Sequence, residues 1–423
     1  MKSPLLKTLA AVMLGGLMFL CGWFLRNGGQ ERPKEDVSEE SKPRPWPGEG
    51  PLALGPDGYY WGVAGNAEDF PGYIYKMKAD GSDWQIVHTF RPEGSPPETN
   101  RPQSAVVFDG VDSMLGTTRA SRNSAGKGTL YKVNVKTGVL TTLVEFTGRE
   151  GPHLGTEPFA PLVPDGLGSF WGSTLGGGTN DMGTLFKYYP ATGVLTTVVE
   201  MPKSTNPKVP AMGPLDALTS DGKGGWWGTS MRGGMENLGI LFKVKADTGE
   251  LTIVFEFTDK HDGWEPNGRL VSDGRGFLWG VCHRGGLGFG TVFKVHATTG
   301  ALTTVVEFSG DTVGDRGEAP WTTLVDDGQG FLWGSTAAGG SSDGGTLFKI
   351  DIATGLLATL VEFDKTESRQ KGYQPGGALV NDGHGAFLGT TGGGGKKNAG
   401  TVFKIDVKTG EFTTLVEFGK VGP

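Results

Sequence analysis

The sequence predicts an all-β fold: a seven-bladed β-propeller of four-stranded antiparallel blades, preceded by one N-terminal transmembrane helix. Three observations carry this reading. The stretch GTVFKIDVKTGEFTTLVEF at 400–418 recurs with changes, seven copies in all, and its lysine falls at 76, 132, 187, 243, 294, 349 and 404, in steps of 51 to 56 residues. An Asp-Gly pair keeps the same step at Asp57, Asp109, Asp165, Asp221, Asp273, Asp327 and Asp382, with a proline seven residues earlier in six of the seven copies. A glycine then follows in each copy, at Gly62, Gly116, Gly172, Gly228, Gly280, Gly334 and Gly389, and a Trp or Leu precedes it. A fixed period of this size marks a repeat architecture, and no helical pattern lies between the units. A propeller hides the edges of such small sheets by radial repetition.

Composition sets the outer limits. The 423 residues include 74 Gly and 25 Pro, but the glycines recur beside Trp, Phe and β-branched residues, which is turn chemistry between strands and not disorder. A net charge of −7 argues against nucleic acid as a partner, because such proteins carry a basic footprint. Cys21 lies in the leader and Cys282 in a repeat, so no disulfide is expected inside the repeats. The six histidines are scattered and no cysteine cluster accompanies them, so neither a metal site nor a cofactor is expected.

Residues 1–26 read as a signal anchor. Lys2 and Lys7 precede an uncharged run over 8–25, near the short limit for a membrane-spanning helix, and Arg26 ends it. No small-x-small cleavage site follows. The lysines place the N-terminus in the cytoplasm and the repeats in the periplasm or extracellular space. The rival reading is a lipoprotein lipidated at Cys21, although bulky Leu20 stands where that motif takes a small residue. Either reading exports and tethers the domain. Residues 27–49 are charged and Pro-rich without a hydrophobic period, a solvated spacer. The propeller takes 50–423, with blades over about 51–90, 102–146, 158–201, 214–257, 266–308, 320–363 and 375–418.

Residues 158–201 show one blade in full. FAPLVPDG gives strand A, SFWGST strand B, LGGGTNDMG a loop, TLFKYY strand C, ATG a turn and VLTTVVEM strand D. These short runs are rich in Val, Leu, Thr, Phe and Trp and bounded by Gly, Asp and Asn. Asp-Gly and Thr-Gly supply the positive φ that tight hairpins need. Proline lacks a ladder donor and is expected at strand A's first residue or outside the strand.

GTLFK, then TG, then LTTLVEF, with DGxGxFWG upstream, resembles the GloVer tandem repeat of bacterial surface proteins, named after Gloeobacter and Verrucomicrobia, and the resemblance covers 51–418. It implies a membrane or surface anchor and no assigned biochemical activity. The first copy departs most: His88 replaces the strand-D Glu and the Thr-Gly turn is lost. Quinoprotein propellers share a turn like Asp406 to Gly410, but the docking Trp that follows it there is absent, so no quinone cofactor is inferred.

Residues repeated in every blade read as scaffold, since a site has one geometry. That covers the shared lysines, Glu145, Glu200, Glu256, Glu307, Glu362 and Glu417, the Trp-Gly positions and the Asp-Gly turns. The A–B and C–D turns are short and share one face. The longer, more varied B–C and D–A loops share the other, where function is expected. Blades 4 and 5 break the symmetry most. Arg232 and Arg284 stand four residues after Gly228 and Gly280, His283 adjoins Arg284, and the D–A loop between these blades supplies His261, Asp262, Trp264 and Glu265. Together they compose a mouth suited to an acidic sugar or a carboxylate; the plain alternative is a set of solvated loop residues.

The first functional reading is therefore a membrane-tethered extracytoplasmic propeller that binds an acidic glycan, a small carboxylate or a protein partner without catalysis. The second is a carbohydrate-active enzyme, a polysaccharide lyase or glycoside hydrolase, at the same mouth. Glu157 and Glu265, each just before its proline, are the first carboxylate pair to test for a spacing of about 5 to 9 Å. The third is a purely structural surface protein. No catalytic residue is assigned.

Overall fold

The computed structural model describes residues 51–64, 72–90, 99–102, 104–121, 127–203, 213–214, 216–258, 262–310, 317–365 and 371–418. Residues 1–50, with the expected anchor and spacer, lie outside the described residues, as does His261. Among the described residues no helix is long and apolar enough to cross a membrane.

Seven antiparallel sheets follow one another along the chain, each built from consecutive strands. In blade 5 strand A is Trp264–Ser272, B is Phe277–Arg284, C is Thr291–His296 and D is Leu302–Glu307. Strands B and C are covered on both faces by neighbouring blades, which is why they read as near-continuous apolar runs. Strand D is mostly half-buried, with Thr303 exposed and Val306 buried, as an outer strand packed on one side should be.

Strand A is innermost. Thr219 Oγ1 of blade 4 donates to Leu270 O of blade 5, and Arg269 N of blade 5 donates to Thr323 Oγ1 of blade 6 at 2.9 Å. Successive A strands thus lie side by side around the axis. The proline expectation holds in blades 3 and 4, where Pro158 and Pro214 lie outside the strands, and needs correcting in blades 2, 5, 6 and 7. There the ladder begins upstream of the proline, with Pro102, Pro266, Pro320 and Pro375 opposite Thr118, Cys282, Thr336 and Thr391. An edge strand offers positions whose N–H points away from the ladder, so proline is tolerated within it.

The strand-B glycine has a packing cause. Each one faces an aromatic of strand C: Gly62 and Tyr75, Gly116 and Tyr131, Gly172 and Phe186, Gly228 and Phe242, Gly280 and Phe293, Gly334 and Phe348, Gly389 and Phe403. A Cβ on Gly280 would sit 2.5 Å from Phe293 Cζ, inside the ring's own volume. The aromatic lies across the bare backbone, and no larger residue fits beneath it.

Seven apolar clusters fill the seven blade interfaces. One of them packs Leu52, Tyr75 and Met77 of blade 1 against Leu388, Val402 and Phe418 of blade 7. Blade 1 comes wholly from Ala53–Thr89 and blade 7 wholly from Tyr373–Glu417, so the ring closes by packing with no strand shared.

The repeated polar residues serve this scaffold. In blade 4 the Asp221 carboxylate accepts the Lys223 and Gly225 amides and meets Lys243 Nζ at 2.7 Å, while that ammonium lies 5.2 Å from the Trp227 ring. Asp273 and Asp327 likewise cap their turns and accept the indole N–H of Trp279 and Trp333, each at 3.1 Å. The strand-D glutamates cap B–C loops: Glu256 accepts Met235 N at 2.8 Å and Glu362 accepts Ser341 N at 2.9 Å.

Candidate functional site

The B–C and D–A loops interlock on one face. The residue before the repeat's proline donates its N–H to the preceding blade's B–C loop: Glu157 to Lys127 O at 2.9 Å, Glu265 to Leu238 O at 2.8 Å and Ala319 to Phe289 O at 2.8 Å. Glu157, Glu265, Ala319 and Gln374 all hold a left-handed φ of 55 to 57°. Because alanine and glutamine share it, this conformation belongs to the repeat and Glu265 inherits it.

The B–C loops are less varied than their sequences suggest. In blades 3, 4, 6 and 7 the side chains of Asp181, Asn237, Asp343 and Asn398 accept the N–H of Gly177, Gly233, Gly339 and Gly394 at 2.9 to 3.1 Å. One loop fold carries different side chains, so what distinguishes a blade is chemistry at fixed positions.

Glu265 is where the expected residues meet. Its carboxylate is buried, with Oε1 at 3.0 Å from Arg232 Nη2, and Oε2 at 3.3 Å from Arg284 Nε and 3.4 Å from His283 Nδ1. Burial alone would raise its pKa. The His283 hydrogen bond and the charges of Arg232 and Arg284 outweigh that and hold the carboxyl below its ordinary value. Arg284 also lies over Trp264, 5.7 Å from the ring centre. Both guanidiniums keep partial exposure, 35% for the Arg232 side chain and 27% for Arg284, so each presents donors to solvent beyond the one Glu265 takes.

Of the other expected residues, Asp262 serves the loop. Its carbonyl accepts Thr291 Oγ1 at 3.3 Å and its carboxylate accepts Thr258 Oγ1 at 3.2 Å. Glu157 sits in the equivalent place two blades away and pairs with Arg119 Nε at 2.6 Å. Sequence reasoning missed Trp321, whose ring meets the His283 ring edge-on at 4.6 Å from blade 6. Its signal was a Trp directly after the repeat's proline, where the other blades carry Gln103, Phe159, Leu215, Asn267 and Gly376.

Below the mouth lie Asp216, just before the inner strand Thr219–Ser220 of blade 4, and Arg269, in the inner strand of blade 5. Burial pushes the Asp216 carboxyl up, against the Ala217 amide and the charge of Arg269, and burial pulls the Arg269 guanidinium down. A cleft of about 370 Å³ on the opposite face, lined by Lys223, Lys243, Lys245 and Asp247, is built from scaffold charges and converges on no site. Among the described residues no group of three or more His, Cys, Asp or Glu is placed to hold a metal ion.

The family model of the Gloeobacter/Verrucomicrobia repeat matches residues 47–287 and, overlapping, 216–422. No curated protein sequence matches the chain. Similar solved structures include an oligogalacturonate lyase from Vibrio parahaemolyticus, 11% identical with a TM-score of 0.55, covering 87% of this chain and 92% of that one. A putative 6-phosphogluconolactonase from Bacteroides fragilis is 17% identical with a TM-score of 0.52, covering 91% of this chain and 98% of that one. Another from Bacteroides uniformis is 14% identical with a TM-score of 0.53, covering 82% and 92%. Likeness at these identities is one of fold.

Proposed function

Because the chain belongs to the Gloeobacter/Verrucomicrobia repeat family and carries this mouth, we propose that it is a membrane-tethered extracytoplasmic binding propeller that takes a carboxylate-bearing ligand. The tether rests on the uncharged run over 8–25 and its flanking lysines. The observation that carries the binding reading is Glu265, one buried carboxylate that holds guanidiniums from two blades side by side. Two positive charges against one negative leave the trio cationic. The arginine forks are already oriented, so a ligand carboxylate meets donors whose ordering cost is spent in folding. Trp264 beneath Arg284 helps to hold that guanidinium in place.

The same contacts weigh against glycoside hydrolysis at this mouth. A general acid needs a raised pKa, whereas the Glu265 carboxyl lies below its ordinary value and Glu157 is ion-paired with Arg119. The oligogalacturonate lyase among the similar folds lends no chemistry to this chain.

The test is calorimetric titration of the full-length protein with glucuronate and, as the neutral counterpart, glucose. Glucuronate should bind, glucose should not, and Arg232→Ala/Arg284→Ala should weaken glucuronate by about tenfold or more. Equal binding of the two sugars, or no effect of the double substitution, sinks the reading.

A further inference from the structure

Two charges at the inner edge of the blades remain outside the mouth. The second and third residues after the repeat's proline are Ser104-Ala105, Ala160-Pro161, Asp216-Ala217, Gly268-Arg269, Thr322-Thr323 and Gly377-Ala378. Asp216 and Arg269 are the charged residues in this set, and they fall in adjacent blades.

Hydrogen bonds gather them with blade 6. Asp216 accepts the Ala217 amide at 2.6 Å and Thr323 Oγ1 at 3.4 Å, while Arg269 Nε donates to Thr219 Oγ1 at 3.3 Å. Asn267 Nδ2 donates to the carbonyl of Trp321 at 2.8 Å, which joins this set to the mouth. Thr219 and Thr323 of the neighbouring blades crowd Arg269 and partly desolvate it, yet the residue keeps surface open to solvent, as a group lining a propeller's central channel must. Arg269 follows Glu265 by four residues in strand A, and a bulge that sets Asn267 to Val271 against only Val281 to Trp279 shortens the advance to roughly 10 Å along the axis. No monosaccharide bridges that spacing; a short oligomer does.

We propose that the channel continues the mouth's site and that the ligand is an acidic oligosaccharide. One carboxylate rests on Arg232 and Arg284, a later one rests on Arg269, and Asp216 and Thr323 take sugar hydroxyls. This deepens the carboxylate reading of the mouth and rests on it. An acidic peptide fits less well, because its carboxylate side chains bring no donor to Asp216, whereas a sugar brings hydroxyl donors beside its carboxylates. Trp264 and Trp321 flank the mouth, in contact with Arg284 and His283.

The experiment titrates the full-length protein with galacturonic acid, with its linear oligomers of increasing length, and with oligoglutamates of matching charge. Affinity should rise by about tenfold or more once the oligomer reaches Arg269. Arg269→Gln should remove that gain and leave monomer binding unchanged; Arg269→Lys should keep part of it, and the melting temperature of each variant confirms its fold. No rise with length, or a rise that survives Arg269→Gln, overturns the channel proposal while leaving the mouth reading intact. Oligomer binding lost in Arg269→Gln but indifferent to Arg232→Ala/Arg284→Ala overturns the mouth reading and supports the channel contact. Oligoglutamate binding as tightly as the sugars overturns the glycan assignment, and no binding by any probe overturns both.

Discussion

Arg232 Nη2 lies 3.0 Å from Glu265 Oε1, and the bond crosses from blade 4 to blade 5. The carboxylate therefore does two jobs. It ties one blade interface on the loop face, and it sets the spacing between Arg232 and Arg284.

Glu265→Gln keeps the shape and removes the charge. Both arginines then lose their counter-ion, and because each is partly exposed the cost should be about 1 to 3 kcal/mol, below that of a fully buried pair. The sign of the pH dependence follows from the lowered pKa. This stabilisation is complete above the ordinary carboxyl value of 4.5 and fades as pH falls through the lower folded value. Denaturant melts should show a constant gap between wild type and variant at neutral pH, closing in acid. A gap that widens in acid would mean the carboxyl is not held down.

Asp216 has the opposite sign. Burial raises its pKa above the ordinary 3.8, so the fold carries a penalty that appears as pH rises through the folded value. Asp216→Asn should raise the melting temperature at neutral pH, and the gain should vanish below 3.8. A lower melting temperature at neutral pH would show that the charge of Arg269 more than repays the burial.

The strands and turns were legible because their chemistry is local and repeated: Gly280 beneath Phe293 and Asp273 capping its own turn recur in blade after blade. The mouth was half legible. Arg232 and Arg284 share one register position and Glu265 precedes its proline, so the repeat itself brings them together. Trp321 and Thr323 come from the next blade, and contact across a blade boundary leaves no spacing in the chain. In blades 2, 5, 6 and 7 the place of proline went wrong for a similar reason: that strand A is an inner edge depends on the closed ring, not on residues near Pro266.

Gly280→Ala tests the glycine–aromatic pairs. The added methyl meets the Phe293 ring at 2.5 Å and Leu270 Cδ2 at 2.7 Å, so overpacking should cost about 1 to 3 kcal/mol. Adding Phe293→Leu to Gly280→Ala should recover part of the loss, because the two sites share one volume. Strictly additive losses in the denaturant melts would show that the ring does not need the bare backbone.

Cys282 offers the last test, because blade 5 departs there from its siblings. In blades 2, 3, 6 and 7 the position holds a threonine whose hydroxyl meets one on strand C: Thr118 with Thr129, Thr174 with Thr184, Thr336 with Thr346 and Thr391 with Thr401, at 2.8 to 3.0 Å. Blade 5 puts the Cys282 thiol opposite Thr291, with Sγ 3.7 Å from the Asp262 carbonyl that Thr291 also bonds. A thiol is the weaker donor, so Cys282→Thr should restore the hydroxyl pair and gain about 0.5 to 1.5 kcal/mol. A loss of that size instead would mean that the loop bearing Asp262 and Glu265 is fitted to sulfur. The wild-type thiol gives a second readout. Burial pushes its pKa up, and only the thiolate reacts. Labelling by a thiol reagent should therefore wait for blade 5 to open, and its rate should report the stability of the mouth. Glu265→Gln should speed that labelling, since it unties the interface beside it; equal rates would show that the Arg232–Glu265 contact holds nothing in place.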